Sequence, residues 1–371
     1  MGIDGTAAVA QSLRAPTGRP PDWSALDSGA IVAAALRHRV FLLLGWLLRD
    51  AGSLHEWQGF ADAFARVERQ ALTIDCVRHA ELTSVLQGLD TAGVRVIVFK
   101  GAALAHTHYP APHLRVRADS DLLVAEEDVP ALEKALGHLG YRRPAETSGA
   151  LVSYQSHYQK ADRHGVTHAI DVHWKISNLQ ALANSFSHGD LWHCRAPLAP
   201  HGPSAMTVDA PHALALALIH RAGHHPGSRN LLWLYDLHLL ESRLTAAERQ
   251  QFQAILAARG LNRIAAEGIS LARRSFGDQA DASGHEAALP GDSADVDDGV
   301  RPWTQAEILR LDLEALPDWR TRGRLLREHL LPPSSYMRAK YGLQSNVMLP
   351  ALYLWRALHG MPKWLRRPAG D

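Results

Sequence analysis

The stretch Arg117-Ala-Asp-Ser-Asp-Leu-Leu-Val124 carries two carboxylates, Asp119 and Asp121, directly into an apolar run. Residues two apart on a strand share a face, so both carboxylates are expected to point one way from a segment whose far end, Leu122 to Val124, is buried. Two neighbouring like charges are costly unless something positive sits between them. A divalent ion such as Mg²⁺, which prefers carboxylate oxygens, is the simplest such group. Asp171 lies in a second apolar stretch, His168-Ala-Ile-Asp-Val-His-Trp174. Alternation there puts Asp171, His173 and Lys175 on one face. A carboxylate inside an apolar strand is expensive unless it is paired or holds a metal. Three carboxylates converging on a small sheet suit metal-assisted phosphoryl or nucleotidyl transfer. The plainer alternatives are a D-x-D pair that caps a turn and an Asp171 paired with a nearby Arg or Lys.

Working outward, Val94-Arg-Val-Ile-Val-Phe99 is rich in β-branched residues and reads as a strand. Lys100-Gly101 turns the chain, and Ala102 to His108 suits a short helix. Residues 116–124 form the D-x-D strand. Glu126-Glu-Asp128 favours a helix start, and Gly140 stops that helix. Residues 151–160 and 166–176 pair as antiparallel strands around Arg163-His-Gly165. Helical spacing covers residues 30–50 and 56–90, and returns in Pro211 to Arg221, Leu231 to Ser242 and Ala246 to Arg259. Residues 304–330 and 345–360 are also helical.

The expected organisation is a disordered N-terminus (1–22), a helical segment (23–90), an α/β domain (91–205), a helical domain (206–274), a flexible acidic linker (275–300) and a helical C-terminal segment (301–371). The fold class is therefore α+β, a small mixed sheet joined to a largely helical remainder.

Charge and cysteine usage exclude several classes. The net charge is +1, which gives no global electrostatic case for a nucleic-acid partner. Two cysteines without a C-x-x-C argue against a disulfide framework or a zinc ribbon and fit a reducing cytoplasm. No transmembrane segment is expected, because the apolar run from Ile31 to Leu48 is interrupted by Arg37, His38 and Arg39. Near the C-terminus, Met348, Leu352 and Trp355 share a face, which suits packing on the core better than contact with a membrane surface.

His220 and His224 are four apart on an expected helix and share a face. Such a pair can bind zinc, but no third ligand is evident nearby, and a structural or substrate-contact role is favoured. Asp236 sits in the apolar helix Trp233-Leu-Tyr-Asp-Leu, where it would accept a hydrogen bond from one of these histidines or from Arg229.

The set Phe99-Lys-Gly-Ala-Ala-Leu104, Arg115-x-x-x-Asp119-Ser-Asp121-Leu-Leu-Val124, Gly140-Tyr141 and Ile170-Asp-Val-His-Trp174 resembles the uncharacterised nucleotidyltransferase family within the DNA polymerase β superfamily. His220-x-x-x-His224, Asn230-Leu-Leu-Trp233 with Asp236, Leu331-Pro-Pro-Ser334 and Met337-Arg-x-x-Tyr341 extend the resemblance over most of residues 90–360. It implies a nucleotidyltransferase-type sheet in which Asp119, Asp121 and Asp171 hold Mg²⁺ or Mn²⁺. A nucleoside triphosphate would be the substrate, with transfer to an unidentified hydroxyl acceptor and loss of pyrophosphate. Gly101 would let the backbone approach the triphosphate. Lys100, Arg115 and Lys175 would be its cationic contacts, and His173, His220, His224 and Asp236 would shape the acceptor pocket. The turn departs from the superfamily pattern: Ala102 follows Gly101 where a glycine or serine is usual, and Ser120 separates the paired aspartates. A nucleotide- or partner-binding protein without turnover, or a toxin–antitoxin component modifying RNA or protein, are the alternatives.

Overall fold

In a computed structural model of the chain, residues 5–14, 28–144, 151–225, 227–277, 304–342 and 347–365 are described. Six strands form among them: β1 (Ile97–Phe99), β2 (Ser120–Leu123), β3 (Gln155–Ala161), β4 (Thr167–His173), β5 (Arg195–Pro197) and β6 (Met206–Val208). They form one mixed sheet in the order β3-β4-β2-β1-β6-β5. β2 runs antiparallel to β1 and parallel to β4, and β3 closes that end as the hairpin partner of β4. The α+β class is as expected.

The N-terminal helices are α1 (Gly5–Arg14), α2 (Ser28–Arg37), α3 (Phe41–Asp50) and the long α4 (Gln58–Thr91). Between strands lie α5 (Lys100–Thr107), α6 (Val129–His138), α7 (Gln180–Ala183) and α8 (His188–His193). Beyond the sheet come α9 (Ala210–His224), α10 (Leu231–Ser242), α11 (Ala246–Arg259) and α12 (Asn262–Phe276), then α13 (Gln305–Ala315), α14 (Trp319–Leu330), α15 (Ser334–Tyr341) and α16 (Leu349–Leu365).

Alternation along the strands divides the core in two. Val98, Leu122, Val124, Ile170 and Val172 pack with Leu82, Val85 and Leu89 of α4 and with Leu132 and Leu136 of α6. Ile97, Phe99 and Leu123 belong to a larger core with Leu214, Leu218 and Ile219 of α9, Leu232 and Leu237 of α10, and α12. Each fully buried leucine or isoleucine is worth about 2 kcal/mol of hydrophobic transfer, so this double burial fixes the sheet between its helical layers. Local signals set the starts of the helices behind the site. Asp209 caps α9 by accepting from the amide of His212 at 3.0 Å, and Asn230 caps α10 by accepting from Leu232 at 3.1 Å.

Four expectations need correction. Residues 1–22 are not uniformly disordered, because α1 buries Ala8, Val9 and Leu13 in the larger core. Its Arg14 also donates to the carbonyl of Ser275 at 2.7 Å. The helix expected over 30–50 is two helices, broken where Arg39 takes a φ of +59°. The strand expected over 116–124 spans only Ser120–Leu123, so Asp119 immediately precedes it. Finally, α7, α8, α12, α15, β5 and β6 were not anticipated. The expected linker at 275–300 lies, from residue 278 on, outside the described residues. Among the described residues, no helix is long and apolar enough to cross a membrane.

Candidate active site

Strand register assembles the centre of the site. Phe99, Asp121, Asp171 and His157 are successive partners across β1, β2, β4 and β3. Ile97, Leu123, His173 and Gln155 form the next row on the same face. Partnered residues on adjacent strands point to one side, so Asp121 and Asp171 stand side by side on the face that meets α9. The register sets Asp171 beside Asp121 of the D-x-D pair, while Asp119 lies just before β2 and outside this register.

Adjacent carboxylates repel, and each has a partner that offsets the repulsion. Lys100 Nζ lies 2.8 Å from Asp121 Oδ1, and His173 Nε2 lies 2.9 Å from the same oxygen. Lys100 Nζ is also 3.3 Å from His173 Nε2. The Asp171 carboxylate is hydrogen-bonded to His157 Nδ1. Burial by itself would raise the pKa of Asp121, but Lys100 and the His173 hydrogen bond outweigh it and hold the carboxyl well below the usual range. Asp119 is shifted the other way, up, by burial and by the charges of Asp121 and Asp171. Burial and Lys100 push His173 down, against the pull of Asp121.

A cleft of about 230 Å³ opens beside this group. Asp119, Asp121 and Asp171 line it, together with Lys100, Gly101 and Arg115. His220 and His224 line its helical wall with His225 and Trp233, whose rings stack at 3.7 Å between centroids. The wall can come this close because residue 223 is glycine: a Cβ there would stand 2.6 Å from Ser177 Oγ. Burial and the nearby Lys100 charge lower the pKa of His220 and His224, the latter to about 3. They are therefore neutral at physiological pH, and His220 Nδ1 is buried without a hydrogen-bond partner.

Asp236 has a different partner from those anticipated. Arg115 grips it with Nε at 2.8 Å and Nη2 at 2.7 Å, and Tyr109 Oη donates to it at 2.8 Å. Burial disfavours the charged guanidinium, but Asp236 outweighs that and raises the Arg115 pKa. Gly101 serves this lock directly. A Cβ at 101 would meet the carbon and both terminal nitrogens of the Arg115 guanidinium at 3.3 Å. Arg115 therefore lines the cleft with most of its hydrogen-bonding capacity already used, Nη1 going to the Val116 carbonyl at 2.8 Å. The structure does not bring Lys175 to this group; its Nζ sits 4.1 Å from the centre of the Tyr154 ring.

Lys100 and Arg39 are the non-glycine residues with positive φ among the described residues, at +53° and +59°, and both line the cleft. Left-handed backbone at such residues costs roughly 1–2 kcal/mol and is informative when it aims a side chain into a site. Sequence reasoning missed Arg39, which arrives from the N-terminal helices, and His157, whose only signal was its place in the strand paired with β4. The oxygen and nitrogen atoms of Asp121, Asp171 and His173 that could bind a metal lie within 4.8 Å of one another. Hard carboxylate oxygens dominate this donor set, and it fits Mg²⁺ or Mn²⁺.

A family model described as uncharacterised nucleotidyltransferase matches residues 24–277. The match takes in the helices from α2 through α12 and the whole sheet. A comparison with curated proteins finds no match.

Proposed function

The chain belongs to this uncharacterised nucleotidyltransferase family, and from that premise we propose that it moves a nucleoside monophosphate from a nucleoside triphosphate to a hydroxyl acceptor with release of pyrophosphate. The observation that carries the proposal is the pairing of Asp121 with Asp171 on parallel strands, with Asp119 lining the same cleft. Asp119, Asp121 and Asp171 would hold Mg²⁺ or Mn²⁺, which when bound would neutralise the carboxylates and polarise the reacting phosphate.

The chain's own side chains would do the rest. Lys100 and Arg39 would take phosphate oxygens, two cations placed on one cleft by strained backbone. Arg115 would act by holding Asp236 and the floor of the cleft rather than by reaching the phosphates. His173 would orient Asp121 and His157 would orient Asp171. Asp171 would also accept the proton of an acceptor hydroxyl. Neutral His220 and His224 would offer hydrogen bonds to an acceptor entering along the helical wall. Lys175 has no part in this scheme.

Pyrophosphate release, measured over four nucleoside triphosphates with Mg²⁺ or Mn²⁺ and a small-molecule cell extract as acceptor source, tests the proposal. The wild-type chain should release pyrophosphate, and Asp119→Ala/Asp121→Ala should not. Equal release by the double variant would refute the assignment of the carboxylates.

One observation favours a second reading, nucleotide binding without turnover: Lys100 already neutralises the buried Asp121. Saturable triphosphate binding with no pyrophosphate from any acceptor mixture would select it.

A further inference from the structure

Away from the cleft, three imidazoles from three separate elements converge. His79 comes from α4, His106 from α5, and His201 from the 3₁₀ turn Ala199–His201. The rings of His79 and His201 are 4.3 Å apart between centroids, and those of His106 and His201 are 4.6 Å apart. One nitrogen from each lies within 4.8 Å of the other two. His201 is 1% exposed, yet its Nε2 has no hydrogen-bond partner, and neither has the buried Nε2 of His106. Buried polar nitrogens are rarely left so unless a ligand completes them.

We propose that His79, His106 and His201 form a structural site for a borderline-soft divalent metal such as Zn²⁺, which staples α4, α5 and the 199–201 turn together. Three imidazoles with no carboxylate among them suit Zn²⁺, Ni²⁺ or Co²⁺ and suit Mg²⁺ poorly. Asp75, whose charge acts on His106, is held by Arg117 at 2.8 Å. The outer contact of His201 is the kind that metal-binding histidines use. Its Nδ1 is 2.9 Å from Thr83 Oγ1, one turn along α4 from His79. With Nδ1–H donating to that hydroxyl, the Nε2 lone pair faces the other two rings. A tetrahedral zinc site needs ligand atoms about 3.4 Å apart, a closure within reach of imidazole rotation.

The site is distinct from the carboxylate group: none of the three histidines lines the cleft. It would bear on the cleft through α5, whose first residues are Lys100 and Gly101, and through α4, whose Asp75 holds the cleft residue Arg117.

The test uses the full chain, stripped of metal with a chelator and then titrated with Co²⁺ and, separately, Zn²⁺. The wild-type chain should give visible Co²⁺ absorption of tetrahedral intensity and a higher Tm with Zn²⁺. His79→Gln, a change at a half-buried position on α4, should weaken Co²⁺ binding by roughly tenfold or more and abolish the Zn²⁺ shift. His106→Gln should do the same. Asp121→Asn/Asp171→Asn should retain both signals, which separates this site from the carboxylates. Absence of a Co²⁺ spectrum in the wild-type chain, or an unchanged spectrum in His79→Gln and His106→Gln, would overturn the proposal.

Discussion

The ammonium of Lys100 lies 2.8 Å from the Oδ1 of Asp121, and the residue that supplies it holds a φ of +53°. The chain thus accepts backbone strain to bring a cation to a buried carboxylate. Breaking a buried ion pair by removing one partner costs on the order of 3–5 kcal/mol, so Lys100→Ala should lower stability by about that amount in chemical denaturation. Lys100→Gly, which relieves the positive φ, should be less damaging by about 1 kcal/mol. Mg²⁺ should raise the Tm of both variants more than that of the wild-type chain, because it would replace the missing charge. Equal Mg²⁺ shifts in all three would show that Asp121 does not bind the ion.

The Arg115–Asp236 lock predicts strong coupling. Arg115→Ala and Asp236→Ala should each destabilise the chain by roughly 3 kcal/mol. The double variant should cost little more than either one, since neither charge is then left buried alone. Additive losses in the double-mutant cycle would contradict the lock.

Gly101→Ala tests whether the turn is shaped for Arg115. The added Cβ would sit 3.3 Å from the guanidinium, and overpacking of this order costs about 1–3 kcal/mol. That cost should largely disappear in the Arg115→Ala background, read by thermal denaturation. A loss of the same size in both backgrounds would mean the glycine serves another contact.

Arg39→Ala should raise the KM for the nucleoside triphosphate by roughly tenfold, the loss of one charge-assisted phosphate contact, with a smaller effect on kcat. Steady-state kinetics at constant ionic strength would show it. An unchanged KM would remove Arg39 from the phosphate site.

Asp312 predicts a pH dependence of stability. It is buried, it accepts from the amide of Gln180 at 2.6 Å, and burial raises its pKa from 3.8 to about 6. Between these values the folded chain binds more protons than the unfolded one, so stability falls as pH rises through the window. The shift corresponds to an upper bound on the order of 3 kcal/mol. Asp312→Asn, which can still accept the amide, should be more stable than the wild-type chain at pH 7 and lose this slope. An unchanged pH profile would contradict it.

The parts of the site written in short-range pattern were legible in the sequence. Alternation grouped Asp171 with His173 on one strand, and helical spacing put His220 and His224 on one face. The matching limits of α10 and α11 follow from equally local signals. What escaped depends on distant segments. The pairing of Lys100 with Asp121 shows only once the sheet is assembled, and Asp236 finds Arg115 across 121 residues of chain. Arg39 enters the cleft because an apparent single helix breaks there. Strands β5 and β6 have three residues each, too few to show a period. Helix α1 has a weakly apolar composition, and its Ala8 and Val9 become core only when α2 and α12 cover them.

The central claim is transfer of the α-phosphorus with its nucleoside at Asp119, Asp121 and Asp171. The most direct measurement follows two labels on the same nucleoside triphosphate, one on the α-phosphate and one on the γ-phosphate, with the acceptor mixture and Mg²⁺. The account predicts that the α label moves to an acceptor while the γ label leaves in pyrophosphate, and that both events vanish in Asp119→Ala/Asp121→Ala. Transfer of the γ label to the acceptor, or α-label transfer that survives the double substitution, would contradict it.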